Sequence, residues 1–180
     1  MSKGQPVILG VTGWKNSGKT TLTARLVSAL GARGLRVSTI KHAHHAFDID
    51  HEGTDSHTHR QAGAYEVAIV SDRRWALMHE LAAHESEPTL EAMIERLSPC
   101  DIVLVEGYKR GTHPKIEIQA RDARQTTPLY PDDPQVIALV NPVHDDVPEN
   151  LPVFERDDID GLCAHLLERF KLNADTQRTP

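Results

Sequence analysis

A chain of 180 residues, 39% hydrophobic and 26% charged, has the make-up of a single globular domain with a substantial core. Its formal net charge of −6 gives no support to broad nucleic-acid binding through phosphates, and no apolar run is long enough to cross a bilayer as a helix. The start, Met1-Ser2-Lys3-Gly4, leads straight into an apolar segment without room for a signal peptide, and Cys100 and Cys163 lack metal-ligand spacing, so a reducing cytoplasm is the expected setting.

Pro6 to Thr12 (PVILGVT) reads as a buried strand. Thr20 to Ala32 reads as a helix, with Leu22, Leu26 and Leu30 at helical spacing and Val27 beside them. Between the two, Gly13-Trp14-Lys15-Asn16-Ser17-Gly18-Lys19-Thr20 fits G-x-x-x-x-G-K-[ST], the phosphate-binding P-loop, in its required strand–loop–helix setting. Gly13 and Gly18 let the backbone turn tightly and aim N–H groups at a phosphate, and the following helix points its positive end there. Lys19 is the candidate to bridge the outer phosphates as the catalytic cation. Thr20 is the candidate Mg²⁺ ligand, and Thr21 adds a hydroxyl to an inner phosphate. Trp14 is placed to cover a nucleotide or to meet a partner, and the sequence does not choose between them.

Gly31 and Gly34 are both candidate helix stops. Arg36 to Lys41 reads as a second strand, His42 to Gly53 as a long polar loop, and Asp55 to Ala62 as a short helix capped by Asp55 or Thr54. That loop follows a strand end beside the P-loop, as a switch-like segment would. Asp48, Asp50 and Asp55 are candidates to place water or Mg²⁺, and Lys41 to offset phosphate charge; each also reads as a solvated loop residue. Six of the eleven histidines fall between His42 and His59, which raises transition-metal binding without a diagnostic spacing. His79 and His84 are five apart, so they miss the H-E-x-x-H zinc helix.

Tyr65 to Val70 and Trp75 to His79 read as an antiparallel hairpin added to the main sheet, and Thr89 to Leu97 as a helix. Ile102 to Val105 is wholly apolar, as a central parallel strand is. Glu106 ends it at the carboxyl edge, where ligands gather in open α/β sheets, and is the second Mg²⁺ candidate. Lys115 to Ala120 (KIEIQA) alternates and reads as a strand near an edge, Thr127 to Pro134 as a surface loop, and Val136 to Val140 as a buried strand. Pro152 to Phe154 is a last short strand, and Asp158 to Phe170 a closing amphipathic helix. Asn141-Pro142-Val143 is a candidate for the base end of the site. No N-K-x-D guanine motif is present, and the tail from Asn173 reads as loose. The expected fold is a three-layer α/β P-loop NTPase with a mostly parallel sheet, one domain over residues 1–172.

GWKNSGKTTL (13–22), IKHAHH (40–45), DIDHEGTDS (48–56), Ala62-Gly63-Ala64, RRWALM (73–78), LVEGYKR (104–110) and PKIEI (114–118) together closely resemble the molybdopterin-guanine dinucleotide biosynthesis adapter family, MobB. The resemblance implies a GTP-binding, weakly hydrolysing P-loop protein, usually a homodimer. It implies a supporting role towards the molybdenum cofactor guanylyltransferase, which attaches GMP to the molybdopterin cofactor. By motif it places the phosphate site at Gly13, Lys15, Asn16, Ser17, Gly18, Lys19, Thr20 and Thr21, and Mg²⁺ at Thr20 and Glu106. Asp50 and Asp55 match the family's acidic loop. GTP preference rests on the resemblance. Arg73, Arg74, Lys109 and Arg110 are candidates to act in trans across a dimer, each also readable as a solvated surface residue. Two other classes share the same P-loop: a metallochaperone GTPase using His44 and His45, and a small-molecule kinase.

Overall fold

The computed structural model describes residues 5–43, 47–123 and 125–173; His44, His45 and the expected tail past Asn173 lie outside them. In chain order the elements are β1 (Val7–Thr12), α1 (Lys19–Ala32), β2 (Val37–Lys41), α2 (Asp55–Gln61), β3 (Glu66–Val70) and β4 (Trp75–His79). There follow α3 (Leu90–Glu95), β5 (Ile102–Glu106), β6 (Lys115–Ile118), β7 (Val136–Val140), β8 (Val153–Phe154) and α4 (Ile159–Phe170). The chain divides into two compact units, Met1–His42 with Ile94–Pro180, and Ala43–Met93.

The first unit is built on a six-stranded sheet in the order β2-β5-β1-β6-β7-β8, every neighbouring pair parallel. Side chains alternate between its faces. Leu9, Val11, Ile102, Leu104, Ile116, Ile118, Ala138 and Val140 meet Leu22, Leu26 and Leu30 of α1 and Ile159, Leu162, Cys163 and Leu166 of α4 in one core. Of the two candidate stops of α1, Gly34 ends it. At φ 83 its N–H reaches Gly31 O at 2.9 Å, the next N–H reaches Leu30 O at 3.2 Å, and Leu35 turns into the core. Asp158 caps α4 by accepting from the Gly161 N–H at 2.9 Å, where a Cβ on residue 161 would overlap the carboxylate.

β6 departs from the edge position that its alternation predicts. It lies inside the sheet between β1 and β7, and all four of its residues are buried. Ile116 and Ile118 face the helices; the polar side chains are buried on the other face with partners of their own. Lys115 Nζ donates to Asp133 Oδ2 at 2.7 Å and to Gly111 O at 2.5 Å. The Glu117 carboxylate accepts from the N–H groups of Leu129 and Tyr130, each at 2.9 Å, and from Gln119 Nε2 at 3.0 Å. Gln119 Oε1 accepts the Val143 N–H at 3.0 Å. The stretch from Thr127 to Pro134 is therefore more than a surface loop, because its backbone solvates a buried acid. Burial still pushes the Glu117 carboxyl above the ordinary carboxylate range, against the opposing Leu129 and Tyr130 N–H groups.

In the second unit β3 and β4 pair antiparallel, as expected, but as a two-stranded sheet of their own rather than as an extension of the main one. Ser71 closes the turn, its Oγ accepting the Arg73 and Arg74 N–H groups. Val67 and Met78 are buried on one face, while Val70, Trp75 and Leu77 lie exposed on the other. The α2 cap is Thr54, whose Oγ1 accepts the His57 N–H. Among the described residues no helix is long and apolar enough to cross a membrane.

Candidate functional site

The loop from Gly13 to Lys19 forms because its sequence permits backbone that other residues resist. Gly13 has φ 142 and Gly18 φ 99, and Asn16, a residue type that tolerates the left-handed region, has φ 69. A Cβ on Gly13 would overlap the Ile118 carbonyl oxygen, so the loop rests directly on the end of β6. The Ser17 N–H reaches Trp14 O at 3.1 Å and closes the turn. Gly18 caps α1 without a side-chain hydrogen bond, which leaves the leading N–H groups of the helix for an anion. Ser17 Oγ is buried in the loop without a partner among the described residues.

The predicted phosphate and cation residues come together. Lys19 Nζ arches over the loop to donate to Trp14 O at 2.7 Å. Thr20 Oγ1 donates to Glu106 Oε1 at 3.2 Å, and Lys41 Nζ stands 3.7 Å from the same oxygen. The register explains this meeting: Glu106 is level with Val11 of β1 on one side and Lys41 of β2 on the other. Gly107, at φ 101, turns the chain away where a Cβ would stand 2.7 Å from His42 O. Partial burial pushes the Lys19 ammonium below its ordinary pKa; Glu106 opposes the shift, and Lys109 and Lys41 add to it. Lys19, Lys41 and Lys109 beside the uncapped N-terminus of α1 suit a polyanion. A hydroxyl beside a carboxylate is a hard-oxygen pair, so Thr20 and Glu106 fit Mg²⁺.

The sequence leaves the role of Trp14 open, reads Lys109 as a surface or trans residue, and does not single out Arg156. Trp14 donates through Nε1 to Thr127 O at 2.6 Å, and Lys109 Nζ lies 4.1 Å from the ring centroid. Lys109, expected on the surface or acting in trans, thus braces the chain's own P-loop. Burial lowers its pKa, with Glu117 opposing. Arg156, 139 positions beyond Ser17, brings Nη2 to 3.4 Å from Ser17 O. No motif contains Arg156, and only strand order and the turn after β8 bring it to the P-loop.

Asp50 and Asp55 belong to the second unit. Asp50 is buried, with Oδ1 2.7 Å from Arg60 Nη2, and Arg60 also reaches Asp48 at 2.9 Å and Glu80 at 3.2 Å. The Arg60 guanidinium beside Asp50 holds its carboxyl below the usual carboxylate range. Asp55 is exposed on the first turn of α2, where its charge suits the helix N-terminus. His44 and His45 lie outside the described residues, among which no group of three or more His, Cys, Asp or Glu is arranged to hold a metal.

Residues 8–142 match the family described as MobB, Molybdopterin guanine dinucleotide synthesis protein B. The chain belongs to the MobB family. The molybdopterin-guanine dinucleotide biosynthesis adapter protein of Escherichia coli is 38% identical over 165 residues, covering 89% of this chain and 91% of that one. The Haemophilus influenzae protein of the same description is 42% identical over 132 residues, 73% of this chain and 72% of its own. A crystal structure of molybdopterin-guanine biosynthesis protein B is similar with a TM-score of 0.69 at 26% identity, covering 92% of this chain and 100% of that chain. A MobB homologue from Bacillus stearothermophilus gives 0.65 at 25% identity, over 91% and 97%. The family match takes in the P-loop, Glu106 and β6, and it ends at Pro142, short of Arg156.

Proposed function

We propose that this chain binds GTP with Mg²⁺ and serves as an adapter for the guanylyltransferase that attaches GMP to the molybdopterin cofactor. The observation that carries the reading is the meeting of Thr20 and Glu106 at a complete P-loop in a chain of the MobB family. The guanine dinucleotide in the relatives' shared description supports GTP over ATP, and the word adapter supports a partner enzyme.

In this reading the N–H groups of Lys15, Asn16 and Gly18 to Thr21 cradle the phosphates, Lys19 spans the outer pair and Thr21 adds a hydroxyl further in. Thr20 and Glu106 hold the cation, which when bound neutralises charge on the outer phosphates. Hydrolysis is weak. Water attacks in line while Lys19 stabilises the developing charge, and no residue of the phosphate loop is a general base. Whether Asp50 and Asp55 act in hydrolysis is tested by substitution. If they do, Asp50→Asn and Asp55→Asn lower turnover with GTP affinity unchanged, and unaltered turnover in both removes that role. The protein is cytoplasmic and homodimeric in the same reading. The exposed face of Val70, Trp75 and Leu77, at 75%, 70% and 50% exposure, supports a second copy packing on the hairpin. A monomer by light scattering at micromolar concentration contradicts the dimer.

The deciding experiment is calorimetry of GTP and ATP with Mg²⁺ on the parent and on Lys19→Ala. GTP binding that exceeds ATP binding and disappears with Lys19 is expected. Preference for ATP returns the chain to the small-molecule kinases, and absence of both overturns the nucleotide reading.

A further inference from the structure

The strand order gives the phosphate site a direction. β1, which ends in the P-loop, has β5 and β2 on one side and β6, β7 and β8 on the other. Glu106 and Lys41 close the first side, next to Thr20. With the cation and outer phosphates on that side, the nucleoside extends the other way, towards the ends of β6, β7 and β8. Arg156 stands there, two residues beyond β8.

The Arg156 guanidinium lies along the P-loop backbone, Nη2 3.4 Å from Ser17 O and Nη1 3.6 Å from where a Cβ on Gly18 would stand. It is on the carbonyl side of the loop, opposite the N–H groups that cradle phosphate, so it is set apart from the phosphates themselves. Its backbone is clamped: Arg25 of α1 donates to Arg156 O and to Asp157 Oδ1, both at 2.8 Å. The neighbouring strand end is tied in as well, with the Asn141 N–H on Phe154 O at 2.8 Å. Asp157 is committed to Arg25, and among the described residues no carboxylate pairs with the Arg156 guanidinium. An exposed, planar cation is thus held on a fixed turn with its charge unspent.

We propose that Arg156 receives the base of the nucleotide, its guanidinium lying across the face of the purine. The proposal rests on the nucleotide reading above and adds the residue that grips the other end of the ligand. A guanidinium suits this position better than an ammonium because its plane stacks as well as carrying charge.

The test uses two probes on the full chain with Mg²⁺: GTP, and inorganic tripolyphosphate, which has the phosphates without the base. Arg156→Ala is expected to weaken GTP about tenfold, in line with stacked bases elsewhere, and to leave tripolyphosphate unchanged. Arg156→Lys keeps the charge without the plane and is expected to recover little of the loss. Lys19→Ala is expected to weaken both probes. Equal losses of GTP and tripolyphosphate in Arg156→Ala overturn the proposal by placing Arg156 on the phosphates. Unchanged GTP affinity, or full recovery with lysine, overturns it too. A parent that binds neither probe fails the nucleotide reading itself and the proposal with it. A parent that binds both while Arg156→Ala is indifferent fails the proposal alone.

Discussion

Replacing Glu117 with alanine removes one acceptor from three donors at once: the N–H groups of Leu129 and Tyr130 and the side-chain amide of Gln119. Glu117 is 0% exposed, so all three donors face a site closed to bulk solvent. A buried donor left without a partner costs about 1–3 kcal/mol. The Gln119 amide is fully buried and sits in the upper part of that range, while the two loop donors are part-buried and sit at the bottom. The sum is a loss of about 4 kcal/mol. Glu117→Gln keeps one acceptor oxygen but turns an NH₂ towards a donor, and is expected to lose about half as much. The assay is urea unfolding followed by tryptophan emission in a Trp75→Phe background, so that the signal comes from Trp14. Thr127, whose carbonyl holds Trp14 Nε1, lies two residues before Leu129, so native Trp14 emission is expected to shift red in Glu117→Ala. The pH dependence follows from the raised carboxyl. The unfolded chain gives up this proton first, so the folded state holds more protons between the ordinary carboxylate range and the raised value. Stability therefore falls as pH rises through that window, and Glu117→Gln flattens the slope. Stability within about 0.5 kcal/mol of the parent, with unchanged Trp14 emission, refutes the assignment of these bonds as the anchor of the loop.

Three other perturbations have defined outcomes. Gly13→Ala forces a Cβ onto the Ile118 carbonyl at φ 142; a loss of about 1–3 kcal/mol in urea unfolding is expected, together with loss of nucleotide affinity by calorimetry. Asp158→Ala removes the α4 cap and is expected to lower stability by about 1 kcal/mol, whereas Asp158→Asn, which keeps an acceptor, recovers most of it. Arg60→Ala leaves the buried Asp50 carboxylate without its counter-charge. Faster limited proteolysis within residues 47–52, with Lys19-dependent nucleotide binding retained, is the expected result, and an unchanged cleavage pattern removes Arg60 as the organiser of that loop.

The P-loop is legible because strand, turn and helix are contiguous and each residue type meets a local demand. Glu106 is legible because a short apolar strand has only one carboxyl end. β6 is not, because Lys-Ile-Glu-Ile alternates like a half-solvated strand. What buries its polar face is Asp133 for Lys115 and the 129–130 backbone for Glu117, partners that no local pattern displays. Thr89 to Leu97 is periodic enough for a longer helix than Leu90–Glu95, and Ser98-Pro99 lies just beyond, where proline disfavours helical backbone in the residue before it. The hairpin strands are legible as two largely apolar runs around a polar turn, but nothing local says whether such a pair joins an existing sheet. Arg156 was invisible because its meaning lies in strand order, and strand order is set by which buried edges pair.

The pairing of β1 also governs when the site comes into being. Val7 pairs with Ile102 and Gly10 with Lys115, separations of 95 and 105 positions by subtraction. Contacts that far apart close slowly, since the loop entropy is lost before any pairing repays it. During synthesis, β1 and the loop after it leave the ribosome long before either neighbouring strand exists. The apolar segment Val7–Val11 must therefore stay out of wrong pairings through most of translation, which makes the nascent first strand the stretch where an early-binding chaperone has most to protect. The motif is complete once Thr20 is translated, but it has a platform only after Ile118.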